Sequence, residues 1–241
     1  MKVLEVKNIS FAYKGETELI QDISFSLEKN EFLSIVGSSG CGKSTIIKLI
    51  AGIEKAGKGE ITKVKTGYMP QKDLLLPWRK VLENIMLSVE LNKKDLQAGK
   101  KKAEEYLKKL NLYEYKDKLP HELSGGMRQR VSFLRTLLTE ADILLLDEPF
   151  SALDAITKEY LQKWLLDTLK EFNKSIIFIT HDINEALFLS DRILVCKDKP
   201  LTTFAEFIVP KNKTDKERDE KYLEKILEMK KEILHIIRGE N

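Results

Sequence analysis

Alternating and continuous runs of apolar residues predict where the strands of this chain lie. Residues 23–27 alternate between apolar and polar side chains, which is typical of a strand with one face in solvent. Residues 32–36, 143–146 and 176–179 are apolar almost throughout, as parallel strands are when helices cover both faces of their sheet. These three runs predict an α/β fold with a parallel-sheet core.

Helical spacing replaces the strand pattern between residues 80 and 138. Apolar residues recur every three or four positions, at 103, 106, 107 and 110 and again at 127, 131, 134 and 138. The lysines of residues 92–109 alternate with an apolar stripe and with Glu104 and Glu105, so we interpret them as a solvated helix face and not as a basic patch. A helical insert is therefore expected.

The last predicted helix covers about residues 215–237. Its apolar side chains recur at helical spacing: Tyr222, Ile226, Met229, Ile233 and Ile236. This face must be covered by something. Packing on its own domain and a regulatory or dimer contact both remain open.

The chain length of 241 residues suits one domain with a small helical subdomain. We expect a core with a β subdomain over residues 1–79 and 139–210, and a helical subdomain over residues 80–138. A C-terminal helical extension is expected over residues 211–241. The chain shows no internal repeat.

The charge balance and the cysteines narrow the range of functions. A formal charge of +3 with 33% charged residues gives no reason to expect a nucleic acid partner. The N-terminal residues are too polar for a signal peptide, and no run approaches the roughly 20 apolar residues of a membrane span, so a soluble, cytoplasmic chain is expected. We expect Cys41 and Cys196 to be reduced and not joined as a structural disulfide.

A glycine-rich segment follows the apolar run that ends at Val36. It matches the pattern Gly-x4-Gly-Lys-Ser between a predicted strand and a predicted helix, where backbone N–H groups and the helix N-terminus favour phosphate. Lys43 would reach the β- and γ-phosphates, and the Ser44 hydroxyl would bind Mg²⁺. The residues expected to contact the nucleotide here are Gly37, Ser38, Ser39, Gly40, Cys41, Gly42, Lys43, Ser44 and Thr45.

Two carboxylates follow the apolar run 143–146. Asp147 ends a buried strand, where an unpaired charge is costly unless it faces a cation, so a Mg²⁺-bound water is its natural partner. Glu148 is better placed to accept a proton from water. A salt bridge is the competing interpretation of this pair.

A third segment opens the helix that continues through Leu138. Ser124 suits the N-cap position, and Gly125 and Gly126 expose backbone donors, which makes the segment a second candidate anion site. For these three residues alone, a helix cap is the competing interpretation.

The three motifs in this order resemble the ATP-binding cassette (ABC) ATPases. The motifs are the loop at 37–45, the segment LSGGMRQR at 123–130 and the run ILLLDEP at 143–149, and the resemblance spans residues 1 to about 195. It implies the P-loop NTPase fold of an ABC cassette, with an antiparallel β subdomain, a helical insert, ATP and Mg²⁺. In this family the loop at Ser124 binds the γ-phosphate of ATP held by the other subunit, which implies a head-to-tail homodimer.

The resemblance also implies roles for single residues in hydrolysis. Glu148 would polarise the attacking water, Gln71 would contact that water and Mg²⁺, and His181 would touch the γ-phosphate. Together with Lys43 they are the catalytic candidates. Ser44, Gln71 and Asp147 are the metal candidates.

Further contacts to the nucleotide follow from the same resemblance. Tyr13 lies where the family has a ring that stacks on adenine, with Phe11 as the alternative ring. Gln129 is expected to join the nucleotide contacts. Asp154 matches the loop that links the two sites of a dimer, although a helix N-cap competes with that role.

One branch of the family is closer than the others. Residues 71–85, QKDLLLPWRKVLENI, look like the corresponding segment of importer ATPases for nitrate, taurine and aliphatic sulfonates, and 121–123 and 180–186 fit that branch. The implied partners are a transmembrane permease at the inner face of the membrane and, indirectly, a substrate-binding protein. The apolar cluster from Leu74 to Trp78 could be core, or a surface that binds the permease.

Two departures and two alternatives accompany this interpretation. The stretch 52–71 is shorter than usual, which suggests a trimmed antiparallel hairpin, and Asn30 replaces a common turn glycine. A soluble ABC ATPase of translation or DNA repair would need a second cassette or a long coiled-coil insert. A regulatory cassette that does not hydrolyse ATP would usually lack residues such as Glu148 and His181.

Overall fold

The computed structural model describes residues 1–93, 95–210 and 220–239, without the side chains of residues 168–172. The chain forms two compact units. The first unit comprises residues 1–64 and 173–241, and the second unit comprises residues 65–172. None of the helices in the described ranges is long and apolar enough to cross a bilayer.

The described secondary structure contains both strands and helices. The strands are β1 (Lys2–Phe11), β2 (Ile20–Glu28), β3 (Phe32–Val36), β4 (Lys58–Ile61), β5 (Thr66–Met69), β6 (Ile143–Asp147), β7 (Ser175–Ile179), β8 (Arg192–Cys196) and β9 (Phe204–Ile208). The helices are α1 (Lys43–Ile50), α2 (Val81–Leu91), α3 (Leu96–Lys109), α4 (Gly125–Leu137), α5 (Ala155–Phe172), α6 (Ile183–Leu189) and α7 (Glu220–Arg238).

The strands of the first unit form one antiparallel group and one mostly parallel group. Strands β2, β1 and β4 form an antiparallel sheet with β1 in the middle. Strand β3 pairs in parallel with β7 on one side and with β8 on the other, and β9 pairs antiparallel with β8. Every residue of β3 and β7 is buried, as the apolar runs predicted. The first exposed residues after these strands are Ser38 and His181.

Helix α7 packs on its own unit. Ile233 is fully buried in a cluster with Ile183, Leu187 and Val209 from the same unit. Ile226, Met229 and Ile236 pack against this cluster, which covers most of the predicted apolar face. The helix begins at Glu220, and residues 211–219 of the predicted segment lie outside the described ranges. The described part of this helix therefore packs on its own domain.

The second unit combines a short parallel pair with helices. Strand β5 pairs in parallel with the fully buried β6. In the described part of residues 80–138 the elements are helices, and α2 packs against both α3 and α4. On α3 the lysines at 100, 101, 108 and 109 are exposed while Ala103, Tyr106 and Leu107 are buried. The lysine-rich run is thus a solvated helix face.

The predicted antiparallel hairpin within residues 52–71 is wrong. Strand β4 does pair antiparallel, but its partner is β1, whereas β5 joins β6 in parallel. The two strands of the shortened stretch thus belong to different sheets. The turn at Asn30 follows expectation, since its φ of 61° is the left-handed conformation that asparagine tolerates.

The burial of α7 leads to a stability prediction. We expect Ile233→Ala to lower the free energy of unfolding by about 2–5 kcal/mol, because it leaves a cavity beneath the helix. The matched control is Leu227→Ala on the same helix, whose side chain is exposed, and it should change the free energy by less than about 0.5 kcal/mol. Urea denaturation of both variants measures the difference. Equal effects would mean that α7 contributes no core to this unit.

Candidate functional site

Two glycines, Gly37 and Gly42, determine the shape of the loop after β3. A Cβ atom on Gly37 would lie 2.8 Å from the Cβ of Cys196 and 3.1 Å from the Sγ of Cys41, so this position has no room for a side chain. Gly42 is the N-cap of α1 with a φ of 101°, which L-residues rarely adopt. No side chain caps this helix start, so its first N–H groups suit an anion.

Lys43 lies inside the curve of the loop. Its Nζ donates to the main-chain oxygens of Gly37 at 2.9 Å and Ser38 at 2.8 Å, and the side chain is buried. The loop 37–43 thus surrounds a positive charge and carries the uncapped start of a helix. Such a concavity suits the phosphates of a nucleotide.

Cys41 and Cys196 are free thiols that interact with each other. A hydrogen bond from Cys196 and the nearby charge of Lys43 lower the pKa of Cys41 to about 6, although burial opposes this shift. The same hydrogen bond and burial raise the pKa of Cys196. Both cysteines are free, as expected, and the direction of the pKa shift distinguishes Cys41 from Cys196.

The aromatic residues of the first unit differ in their exposure. Phe11 is buried, and its ring makes an edge contact with Tyr13 at 4.8 Å between centroids. Tyr13 is partly exposed, and its hydroxyl lies 3.1 Å from the Oγ1 of Thr45. Of the two rings considered for adenine stacking, Tyr13 is therefore the accessible one. The stacking itself stays a prediction.

The turn after β7 presents His181 at the surface. Thr180 donates a hydrogen bond to the buried carboxylate of Glu185, and its hydroxyl accepts one from the N–H of Asp182 at 3.0 Å. Asp182 then caps α6 through the N–H of Asn184. The backbone on both sides of His181 is thus held by neighbours of its own unit.

The end of β6 in the second unit carries both predicted carboxylates. Asp147 is buried, whereas Glu148 is partly exposed with a φ of 48°. The Nε2 of Gln71 donates to Oε2 of Glu148 at 3.0 Å. The structure therefore brings together two of the predicted catalytic side chains from positions 77 residues apart.

The segment before α4 has the predicted cap. The hydroxyl of Ser124 accepts from the N–H of Met127 at 3.3 Å. A Cβ atom on Gly126 would lie 3.1 Å from a methyl of Leu153 and 3.3 Å from the oxygen of Ala152. This close approach explains the glycine at position 126.

Two further predicted nucleotide contacts have partners within the chain. The Oδ1 of Asp154 accepts from the N–H of Thr157 at 3.0 Å, and this bond lowers the pKa of Asp154. Asp154 therefore does cap α5, as the competing interpretation held. Gln129 is 5% exposed, and its Nε2 donates to the main-chain oxygen of Glu148 at 3.1 Å. Contacts of either residue to nucleotide stay predictions.

Comparison with known proteins identifies the family. The ABC transporter family model matches residues 20–151. The formylaminopyrimidine import ATP-binding protein ThiZ of Halalkalibacterium halodurans is 40% identical over 96% of this chain and 95% of its own length. The aliphatic sulfonates import ATP-binding protein SsuB of Bacillus anthracis is 40% identical over 83% of this chain and 82% of its own length.

The chain belongs to the ABC transporter family. It is an ATP-binding subunit of that family, an ATPase coupled to transport. A solved dimer of the cassette MJ0796 in a post-hydrolysis state, bound to ADP and Pi, matches with a TM-score of 0.77 and 30% identity. The match covers 87% of this chain and all of that one. The fold is therefore that of an ABC cassette.

The cassette also contains a network around residues 71–80 that the sequence pattern missed. Arg135 on α4 donates to the main-chain oxygens of Asp73 at 2.8 Å and Leu74 at 2.9 Å, and Arg128 pairs with the Asp73 carboxylate at 3.0 Å. The fully buried amide of Asn84 on α2 bonds to the main chain of residues 76, 79 and 80. In the sequence, the only signal for these contacts is the basic residues of α4 that follow the LSGG segment.

The loop of residues 71–80 exposes two large apolar side chains. Trp78 is 73% exposed and Leu74 is 61% exposed, whereas Leu75 is buried. Leu74 also has a left-handed φ of 42°, which is costly for a leucine. Trp78 and Leu74 therefore do not belong to the core.

The low pKa of Cys41 can be tested by alkylation. In the parent, the rate of modification of Cys41 by iodoacetamide should rise with pH around a midpoint of about 6, because the thiolate reacts. Cys196→Ala removes the hydrogen bond with the largest effect and should move the midpoint upward. Mass spectrometry of the modified peptide measures both rates. A parent midpoint near the roughly 8.5 of a free cysteine would contradict the assignment.

Proposed function

We propose that this cassette hydrolyses ATP to drive an ABC importer for a small solute. The observation that carries the catalytic part is the Glu148 carboxylate, which follows a buried strand and accepts a hydrogen bond from Gln71. The import direction rests on the relatives, which are named as import ATP-binding proteins over most of their length.

The first unit would bind the nucleotide through the loop 37–45. Its curve around Lys43 and the uncapped start of α1 suit the β- and γ-phosphates. Thr45 is assigned to the α-phosphate, and Tyr13 to the adenine ring by stacking. His181, exposed after β7, is assigned to the γ-phosphate.

The second unit would supply the group that activates water. Glu148 is the proposed general base, an assistance typically worth about 10²–10⁴-fold in rate. Gln71 holds one of its oxygens at 3.0 Å and is assigned to the attacking water. The pair is thus preorganised before water is bound.

Mg²⁺ accompanies ATP in this proposal. Asp147 and Gln71 of the second unit carry oxygen atoms, the donors that Mg²⁺ prefers, and Ser44 of the first unit carries a hydroxyl. Phosphate oxygens and water would complete the coordination, and the bound ion would neutralise phosphate charge.

The working assembly we propose is a head-to-tail homodimer. Ser124, Gly125 and Gly126 of one subunit would bind the γ-phosphate held by its partner, and Asp154 would link the two sites. The cap at Ser124 orients the first N–H groups of α4, and dimeric cassettes of this fold are known. The chain has one set of ATPase motifs, so a second set would come from a second copy.

The partner in the membrane would be a transmembrane permease that contacts residues 71–80. Trp78 and Leu74 are exposed there, while Arg135 and Asn84 hold the backbone that carries them. A rigid loop with exposed apolar side chains is typical of a protein interface. The cassette would then act at the cytoplasmic face, with a substrate-binding protein outside.

The cargo class is inferred from similarity to other importers. The two described above are named for formylaminopyrimidine and for aliphatic sulfonates. Together with the likeness of residues 71–85 to importers of nitrate, sulfonates and taurine, they support a small polar solute.

The catalytic role of Glu148 is tested by Glu148→Gln. We expect ATP hydrolysis to fall by about 10²-fold or more, because an amide accepts no proton, while ATP binding persists. The variant should also dimerise in Mg-ATP, which size-exclusion chromatography with and without nucleotide would detect. Hydrolysis at the parent rate would remove Glu148 from the role of base.

The docking role of Trp78 is tested by Trp78→Ala. Truncation of an aromatic anchor often costs 2 kcal/mol or more, so permease binding should weaken by roughly thirtyfold, with unchanged hydrolysis by the free subunit. Ile156→Ala is the matched control, because Ile156 is an apolar side chain that is 84% exposed on α5. Co-purification with the permease and ATPase assays measure both effects. Normal assembly of Trp78→Ala would refute docking at this loop.

A further inference from the structure

Glu148 occupies a backbone conformation that needs support. Its φ of 48° lies in the left-handed region, which costs a residue with a long side chain on the order of 1–3 kcal/mol. Such a conformation persists only when neighbouring groups fix it. The contacts of the Glu148 main chain therefore decide where its carboxylate points.

The main-chain oxygen of Glu148 accepts hydrogen bonds from both sides. Ser151, three residues further on, donates through Oγ at 3.0 Å and through its N–H at 3.3 Å. From α4, the Nε2 of Gln129 donates at 3.1 Å across 19 residues of sequence. The first contact belongs to a local turn, whereas the second ties that turn to a neighbouring helix.

The position of Gln129 suits a structural contact better than a ligand contact. Its side chain is 5% exposed, and α4 holds it on the same rigid helix that Ser124 caps. The buried Nε2 of Gln129 would lose its acceptor if this bond broke, which is costly for a buried donor. The bond to Glu148 is therefore a constraint on the turn.

We propose that Gln129 is a positioning residue for hydrolysis, which fixes the Glu148 main chain so that the carboxylate meets Gln71. This replaces the nucleotide contact expected for Gln129 from the family resemblance. The inference rests on the proposed role of Glu148 as base. It also links the start of α4, at Ser124, to the base within one chain.

The test removes the donor while keeping the length of the side chain. In Gln129→Met, kcat should fall about tenfold, which equals the loss of about 1.4 kcal/mol of transition-state stabilisation. The KM for ATP, ATP binding and ATP-dependent dimerisation should stay within about twofold of the parent, because a residue that only positions Glu148 would not contact the nucleotide. Gln129→Leu, which also lacks the donor, serves if the methionine variant does not fold.

The matched control is Thr136→Val on the same helix. It also removes a buried hydrogen bond, from Thr136 to the main-chain oxygen of Ser132 at 3.0 Å, but has no contact with Glu148. Its melting temperature should fall by a similar amount to that of Gln129→Met, while its kcat stays at the parent value. This comparison distinguishes a general loss of stability in α4 from a loss of the position of Glu148.

A double variant tests whether Gln129 acts through Glu148. In a Glu148→Gln background, Gln129→Met should cause no further loss of residual hydrolysis, because the positioned group is already gone. Additive losses, a parental kcat, or a raised KM with unchanged kcat would each overturn the inference. If Glu148→Gln alone hydrolysed at the parent rate, the proposed base would fail instead, and the two failures remain distinguishable.

Discussion

Burial of strands on both faces is the constraint on which the candidate site depends. Strands β3, β6 and β7 are buried along their whole length, so their side chains are almost all apolar. Charged groups are therefore confined to the places where these strands end. Each of the three ends carries a candidate: the loop with Lys43, the pair Asp147 and Glu148, and the turn with His181.

Helix α4 and the residues around it form a second layer of constraint within the second unit. Its start is capped by Ser124, its first turns reach Glu148 through Gln129, and Arg135 further along holds the loop with Trp78. One helix thus carries contacts to Ser124, to the turn at Glu148 and to the loop with Trp78.

The sequence predicted those features that depend on neighbours along the chain. Continuous apolar runs predicted β3, β6 and β7, the cap at Ser124 followed from residue preference, and the spacing of Ile226 and Ile233 predicted the buried face of α7. The pairing of β4 with β1 escaped prediction, because antiparallel alternation does not name a partner. The hydrogen bonds of Arg135 and Gln129 were also not predicted, because they join residues that are distant in sequence.

The bonds of Lys43 to its own loop have a thermodynamic consequence. Because Nζ already satisfies the oxygens of Gly37 and Ser38, the loop holds its curvature through its own lysine. Phosphate binding would then exchange hydrogen bonds for others instead of ordering a loose segment. The enthalpy gained on binding is reduced by the bonds given up, and the entropy lost is small. Tight binding would therefore come from preorganisation, and release of product would require no unfolding of the loop.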